Sequence, residues 1–381
     1  MEIRALIRPE HRGQASRYVA GAVAALSAVD RWLGPSARTA FTLVDPPWHS
    51  PAITDPEITV LERTPWWSSP TSMAPELTAA RAISSSRWRD AIDFSALPSW
   101  FTAGLIEYTA RRAVTPVFQG QNLSPGYAMF EGRYFGSFVP KFVRIRLLPD
   151  ADGEPLETYR ARPRVNPAAP NSPAEERSLE GKTVLTIATF ERWVGQPVFD
   201  GSMAEFVKTS RGRRPTLADF ARVASASTGQ NLSWLFDPAF SESVTFDYAV
   251  ARFSSVPDPA GGFDTTVELE RLSDGAFPGS SAPRVGPFES GRGVIVAIAF
   301  EDGERVIDAW DGRDSRKKFS YRSAARGISA VVDPDRTMLL DVNRTNNSRM
   351  LQSRTGPADT RWAARWMLWL EHALLGYGAL V

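Results

Sequence analysis

Gly229-Gln230-Asn231-Leu232-Ser233-Trp234-Leu235-Phe236 divides the chain into two kinds of sequence. Upstream of it, apolar residues recur at the three- and four-residue spacing of helices. From about residue 243 onward they recur at every second position. Gly229 itself closes a helix expected over Thr216 to Thr228, and Pro215 stands ahead of that helix. This is the usual asymmetry of proline at a helix start and glycine past its end.

Working toward the N-terminus, helical patterning covers 13–33 (Val19, Val23, Leu26, Val29, Trp32, Leu33), 72–88, 98–114, 179–194 and 199–209. Gly34-Pro35 ends the first of these and Pro116 the third. Short strands are expected at Ala40–Val44 and 57–63. Residues 150–176, rich in Pro, Asn, Asp and Glu, read as a loop or linker. Toward the C-terminus, Phe246–Val250, Thr265–Leu269 and Val294–Ile298 read as strands. Val294–Phe300 and Arg305–Trp310 flank Glu301-Asp302-Gly303-Glu304, a hairpin signal. The expectation is an α+β, multidomain chain: a mainly helical domain over 1–240, an antiparallel β-sandwich over 241–352, and a Trp-rich helix over 355–381.

Composition narrows the function classes. The chain has 381 residues, 43% of them hydrophobic and twelve of them Trp, enough for two or three domains with real cores. Basic and acidic residues balance at 44 against 43, so no global field attracts nucleic acid or an anionic membrane. Five of the basic residues are Lys and the rest Arg, a bias suggesting a GC-rich bacterial genome. The absence of Cys excludes disulfides and thiolate chemistry. No G-x-S-x-G, phosphate loop or dinucleotide fingerprint occurs. No signal-peptide run is visible at Met1-Glu2-Ile3-Arg4, and no stretch approaches the length of a spanning helix. The histidines are His11, His49 and His372, too far apart for any H-E-x-x-H.

Several stretches together resemble the gluzincin zinc aminopeptidases, the family of membrane alanyl aminopeptidase and leukotriene hydrolase. Pro75-Glu76-Leu77-Thr78-Ala79 stands where the zinc helix carries H-E-x-x-H. Trp100-Phe101-Thr102-Ala103-Gly104-Leu105-Ile106-Glu107-Tyr108 is similar to the following helix and keeps its Trp, Gly and Tyr. Glu180-Gly181-Lys182, Arg214-Pro215-Thr216 and the run at 229–236 continue the match. Asp302-Gly303, Trp310-Asp311-Gly312, Asp333-Pro334 and Asp341-Val342-Asn343 extend it through the β-rich part, so that it covers about 13 to 350.

What the resemblance implies is a degenerate member. A catalytic zinc needs three protein ligands and an open position for an activated water. The two His positions hold Pro75 and Ala79, the Glu ligand position holds Ala103, and Glu180 falls where the transition-state Tyr is expected. Glu76 remains at the general-base position. The expected cofactor set is therefore none, with zinc lost, and the expected activity is peptide or protein binding in a former active-site cleft, or service as an assembly subunit. The family's N-terminal β-domain has no counterpart in the chain, and a further reading is a fragment of a longer gene whose upstream part holds that domain and a membrane segment.

The remaining candidates each carry two readings. Glu76 contacts a peptide amine or caps its helix; Glu107 and Tyr108 line a cleft or belong to the core; Glu180 is a ligand contact or a cap. Trp66 and Trp67 line a groove or seal a core edge. Trp362, Trp366 and Trp369, with Arg361 and Arg365 before the apolar part, suit peripheral membrane contact or docking on a partner chain through 361–381. Two rival functions stand beside the main one. The first is a working zinc aminopeptidase with ligands from elsewhere, for instance His49, Glu62 and Glu76, or from a second chain. The second is a membrane-associated structural protein.

Overall fold

The computed structural model describes residues 2–46, 58–61, 74–120, 153–277 and 293–352, with 363, 366 and 367 besides. It divides into two compact units, one made of 1–93, 106–153 and 354–381, the other of 94–105 and 154–353.

The first unit is built on a three-stranded parallel sheet in the order β1 (Glu2–Leu6), β2 (Ala40–Val44), β3 (Ile58–Val60). Parallel neighbours cannot be joined by a tight turn, and α1 (Ala15–Leu33) makes the crossover from β1 to β2. Tyr18, Ala22, Ala25 and Leu26 of this helix are buried with Phe41 and Leu43 of the sheet. Val23, part of the apolar stripe in the sequence, is about half exposed; the small residues Gly21, Ala22 and Ala25 form the packed face instead. The reason lies opposite them. α2 (Ala74–Ala91) approaches so closely that a Cβ on Gly21 would sit 2.1 Å from the Glu76 carbonyl oxygen. Trp32 and Trp88 close the far end of the helix pair, their ring centroids 6.1 Å apart.

α3 (Ser99–Gly120) extends past the stop expected at Pro116, which lies inside it. Pro116 is exposed, and the helix continues past it.

In the second unit, α4 (Gly153–Ala161) occupies part of the stretch 150–176 expected to be a loop. Its Tyr159 is fully buried and donates to the Leu340 carbonyl at 3.2 Å, so packing overrides a loop-like composition. α5 (Pro173–Val194) begins earlier than expected. Ser172 caps it by accepting from Glu175 N, with Pro173 at the first position. α6 (Gln196–Ser210), α7 (Leu217–Thr228) and α8 (Ser233–Phe240) follow. Thr216 and Asp219 form a reciprocal capping box on α7, and Gly229 ends it in the left-handed region at φ 65°. Phe101, Phe220, Phe236 and Phe240 pack edge-on or stacked at 5.3 to 6.4 Å.

The strands of this unit form two antiparallel sheets. One runs in the order β4 (Tyr248–Pro257), β5 (Phe263–Arg271), β8 (Arg316–Ser323). The other runs β10 (Ser348–Met350), β9 (Gly327–Val332), β6 (Val294–Phe300), β7 (Arg305–Trp310). The β6–β7 hairpin turns through Glu301–Glu304 as the sequence indicates, with Gly303 at φ 89°. Tyr248 of one sheet meets Trp310 of the other edge-on at 5.4 Å. The helices α5–α8 belong to the same unit as the sheets. Leu339 N donates to Thr189 Oγ1, and Lys182 Nζ donates to the Pro238 and Glu242 carbonyls.

Candidate functional site

In the first unit the carboxylates singled out by the sequence are buried, and each is held by arginine. Glu76 lies in the first turn of α2, a favourable place for negative charge. Its two oxygens accept from Arg17 Nε at 2.6 Å and Nη2 at 2.8 Å, a bidentate pair in which Arg17 comes from α1. Pro75 is buried in the same turn, and Ala79, one turn further on, is 0% exposed. With Gly21 against the Glu76 backbone, this end of α2 is pressed onto α1 rather than standing open.

Glu107 on α3 is clasped from two sides. Arg81 of α2 donates Nη2 at 2.8 Å and also Nε, and Arg111, one turn further along α3, donates Nε to the same carboxylate. Burial by itself raises the Glu107 pKa. The Arg81 hydrogen bonds and the two neighbouring guanidinium charges outweigh it, and the carboxyl is held below its usual range. Tyr108 is buried.

Other predicted residues fall elsewhere. Ala103 is half-buried on α3 and belongs to the second unit, where Gly104 beside it meets Thr183, a Cβ there coming within 2.5 Å of the Thr183 Cβ. Glu180 is not a helix cap. α5 starts at Pro173, which places Glu180 two turns inside the helix, because Ser172 and Glu175 supply the start signal. Trp66, Trp67, His49, Glu62 and His372 lie outside the described residues, as does the region 361–381 except 363, 366 and 367.

Sequence reasoning misses the partners. Arg17, Arg81 and Arg111 are legible only as charge; the one readable signal is the i,i+4 spacing of Glu107 and Arg111. It also passes over His11, which is buried and shares a 2.7 Å Nδ1–Oδ2 contact with Asp45, with Arg8 Nε and Nη2 on the same carboxylate at 3.3 Å. This cluster fastens the turn before α1 to the end of β2. Among the described residues, no three His, Asp or Glu side chains come together as a metal-binding group, and no helix is long and apolar enough to cross a membrane.

What the arrangement can do is limited by its bonds. At Glu107 the two arginines hold the carboxyl below its usual range, which makes it a weaker base; both oxygens of Glu76 are engaged with Arg17. Neither Pro75 nor either alanine offers a lone pair to a cation.

No family model and no curated protein sequence matches the chain. Solved structures do. Aminopeptidase A of Legionella pneumophila, determined in complex with aspartic acid, superposes over 89% of this chain with a TM-score of 0.53 and 12% identity. The chain spans 36% of that protein's length. A mutant form of an M1 zinc metallopeptidase from Deinococcus radiodurans matches over 58% of this chain and 44% of its own, at 14% identity and a TM-score of 0.37, too low to carry an argument. At such identities the likeness is one of architecture, and the chain has an aminopeptidase-like α+β fold over most of its length.

Proposed function

We propose that the chain is a peptidase-like protein with no hydrolytic centre of its own, which binds a peptide or a partner protein. The observation that carries this reading is the Arg17–Glu76 pair beside the buried Ala79. At the position the resemblance gives to the general base, the carboxylate is neutralised by a guanidinium. At the neighbouring ligand positions, Pro75 and Ala79 have no donor atom. Ala103, which the resemblance puts at the third ligand position, likewise lacks the thiolate, imidazole or carboxylate that zinc takes. Without a metal-activated water, Glu76 has no proton to take.

A scaffold kept while its ligands are replaced is selected for something other than hydrolysis, and peptide or protein binding is the nearest retained capacity. The test has two arms. The purified chain is incubated with a panel of aminoacyl fluorogenic substrates in the presence of zinc, and with a photo-crosslinkable peptide library. The proposal expects no turnover and saturable crosslinking. Turnover abolished by a chelator would instead support a working peptidase with ligands from outside the described residues.

A further inference from the structure

Where the loop 341–347 meets β4, the second unit buries a carboxylate that, among the described residues, has no cationic partner bonded to it. Asp341 is 0% exposed. Its oxygens accept from Asn343 N at 2.9 Å, from Asn347 Nδ2 at 2.9 Å and, at a longer 3.4 Å, from Tyr248 N. Asn347 is only 7% exposed, and its Oδ1 is buried with no hydrogen-bond partner among the described residues. Buried acceptors of this kind are normally satisfied. The amide that serves the carboxylate with its N–H end thus carries an idle acceptor at the other end. The two ends are nearly alike in size, so a half-turn of the amide exchanges them without repacking.

We propose that Asp341 and Asn347 form a proton-registering pair, Asn347 Nδ2 donating to the ionised carboxylate, and Asp341 Oδ2–H donating to Asn347 Oδ1 once the carboxyl is protonated and the amide has turned. The proton is exchanged with solvent, and the O–H bond is the only covalent bond made or broken.

Burial and one neighbouring charge favour the neutral form and outweigh the three hydrogen bonds, from Asn347, Asn343 and Tyr248, that favour the ionised one. Asp247, just ahead of β4, adds a like charge and is itself held by Asn346 Nδ2 at 2.8 Å. Arg160 of α4 donates to the backbone carbonyl of Asp341 at 3.2 Å, not to its carboxylate. Tyr159 is engaged with the Leu340 carbonyl, Lys182 of α5 with the Pro238 and Glu242 carbonyls, and Arg344 acts on Asp333. Burial, with Asp247 adding to it, raises Asp341 to about 6. The sign follows: the folded value lies above the ordinary 3.8, so the folded state takes up a proton that the unfolded chain does not. Stability is gained as pH falls through about 6 and is lost as pH rises through it.

The pair sits where the two sheets are laced together. The Asn346 carbonyl accepts from Val250 N of β4 at 2.9 Å, and the Asn347 carbonyl from Val332 N of β9 at 2.7 Å. The device is therefore a latch between the sheets that tightens in mild acid.

The test compares the full chain with Asp341→Asn by denaturant unfolding at pH 7.5 and pH 5. The folding equilibrium constant of the wild type, relative to the variant, rises about tenfold on acidification. An identical pH dependence in both proteins overturns the proposal. Should Asp341→Asn fail to fold, side-chain NMR of the wild type decides. The Asp341 carboxyl carbon and the Asn347 amide titrating together near pH 6 support the pair. An Asn347 amide unchanged across that range overturns it.

Discussion

Arg17 of α1 and Glu76 of α2 are joined by two parallel hydrogen bonds of 2.6 and 2.8 Å, although 59 residues separate them in the chain. Both side chains are largely removed from solvent. Removing Arg17 takes both of these hydrogen bonds from a buried carboxylate, whereas removing both side chains takes the carboxylate away as well. Arg17→Leu is expected to destabilise the chain by about 3 kcal/mol, and Arg17→Leu with Glu76→Leu to recover most of that loss. Denaturant unfolding of the two variants checks it; equal losses in both would show that the pair is not the cause.

The Gly21 contact supports a second prediction. A methyl group there meets the Glu76 carbonyl at 2.1 Å, and the obstacle is backbone, which cannot rotate away. Gly21→Ala is expected to cost about 2 kcal/mol or more by forcing α1 and α2 apart. Gly13→Ala, where nothing lies within 4 Å, serves as the control and should be nearly neutral. A Tm for Gly21→Ala matching that of the control would refute the close approach.

Glu107 predicts a response to acid. Its pKa is held below the ordinary 4.5 by Arg81 and Arg111, against the effect of burial. The folded state therefore binds this proton less readily than the unfolded chain. The stability it contributes is fully present above about 4.5 and is lost as pH falls through the lower folded value. Glu107→Gln should weaken the protein at pH 7 and flatten this part of its acid unfolding curve. Parallel curves for the variant and the wild type would rule out the assignment.

Lys182 acts in the same direction, at the alkaline end of the range and through burial. Burial pushes its amine down to about 8, partly offset by Glu242, so folding disfavours the charged form. The unfolded chain binds this proton up to about 10.5, and stability should therefore rise as pH climbs from about 8 toward that value. Lys182→Met should remove the rise, which unfolding midpoints measured across the alkaline range would show. A rise that survives the substitution would have to come from another group.

Much of the fold is legible in the sequence because its signals are local. The hairpin at Glu301–Glu304 and the helix end at Gly229 lie where spacing and turn chemistry place them. The failures are equally specific. Pro116 reads as a stop, yet α3 continues past it, with Pro116 at an exposed position. Residues 153–161 look like loop, yet Tyr159 gains a buried partner 181 residues away, and no local pattern encodes that contact. Glu180 looks like a cap because the helical pattern reads from 179, while the true start lies at Ser172-Pro173. Glu76 and Glu107 are visible as isolated carboxylates. The arginines that fix their chemistry are not, since Arg17 and Arg81 reach them only through tertiary packing.

Zinc stoichiometry tests the central claim most directly. The chain is stripped with a chelator, reloaded with excess zinc, exchanged into metal-free buffer and analysed for bound metal. The account predicts far less than one zinc per chain, because Pro75, Ala79 and Ala103 supply no donor. One tightly held zinc per chain, accompanied by release of N-terminal amino acids from peptides, would contradict it.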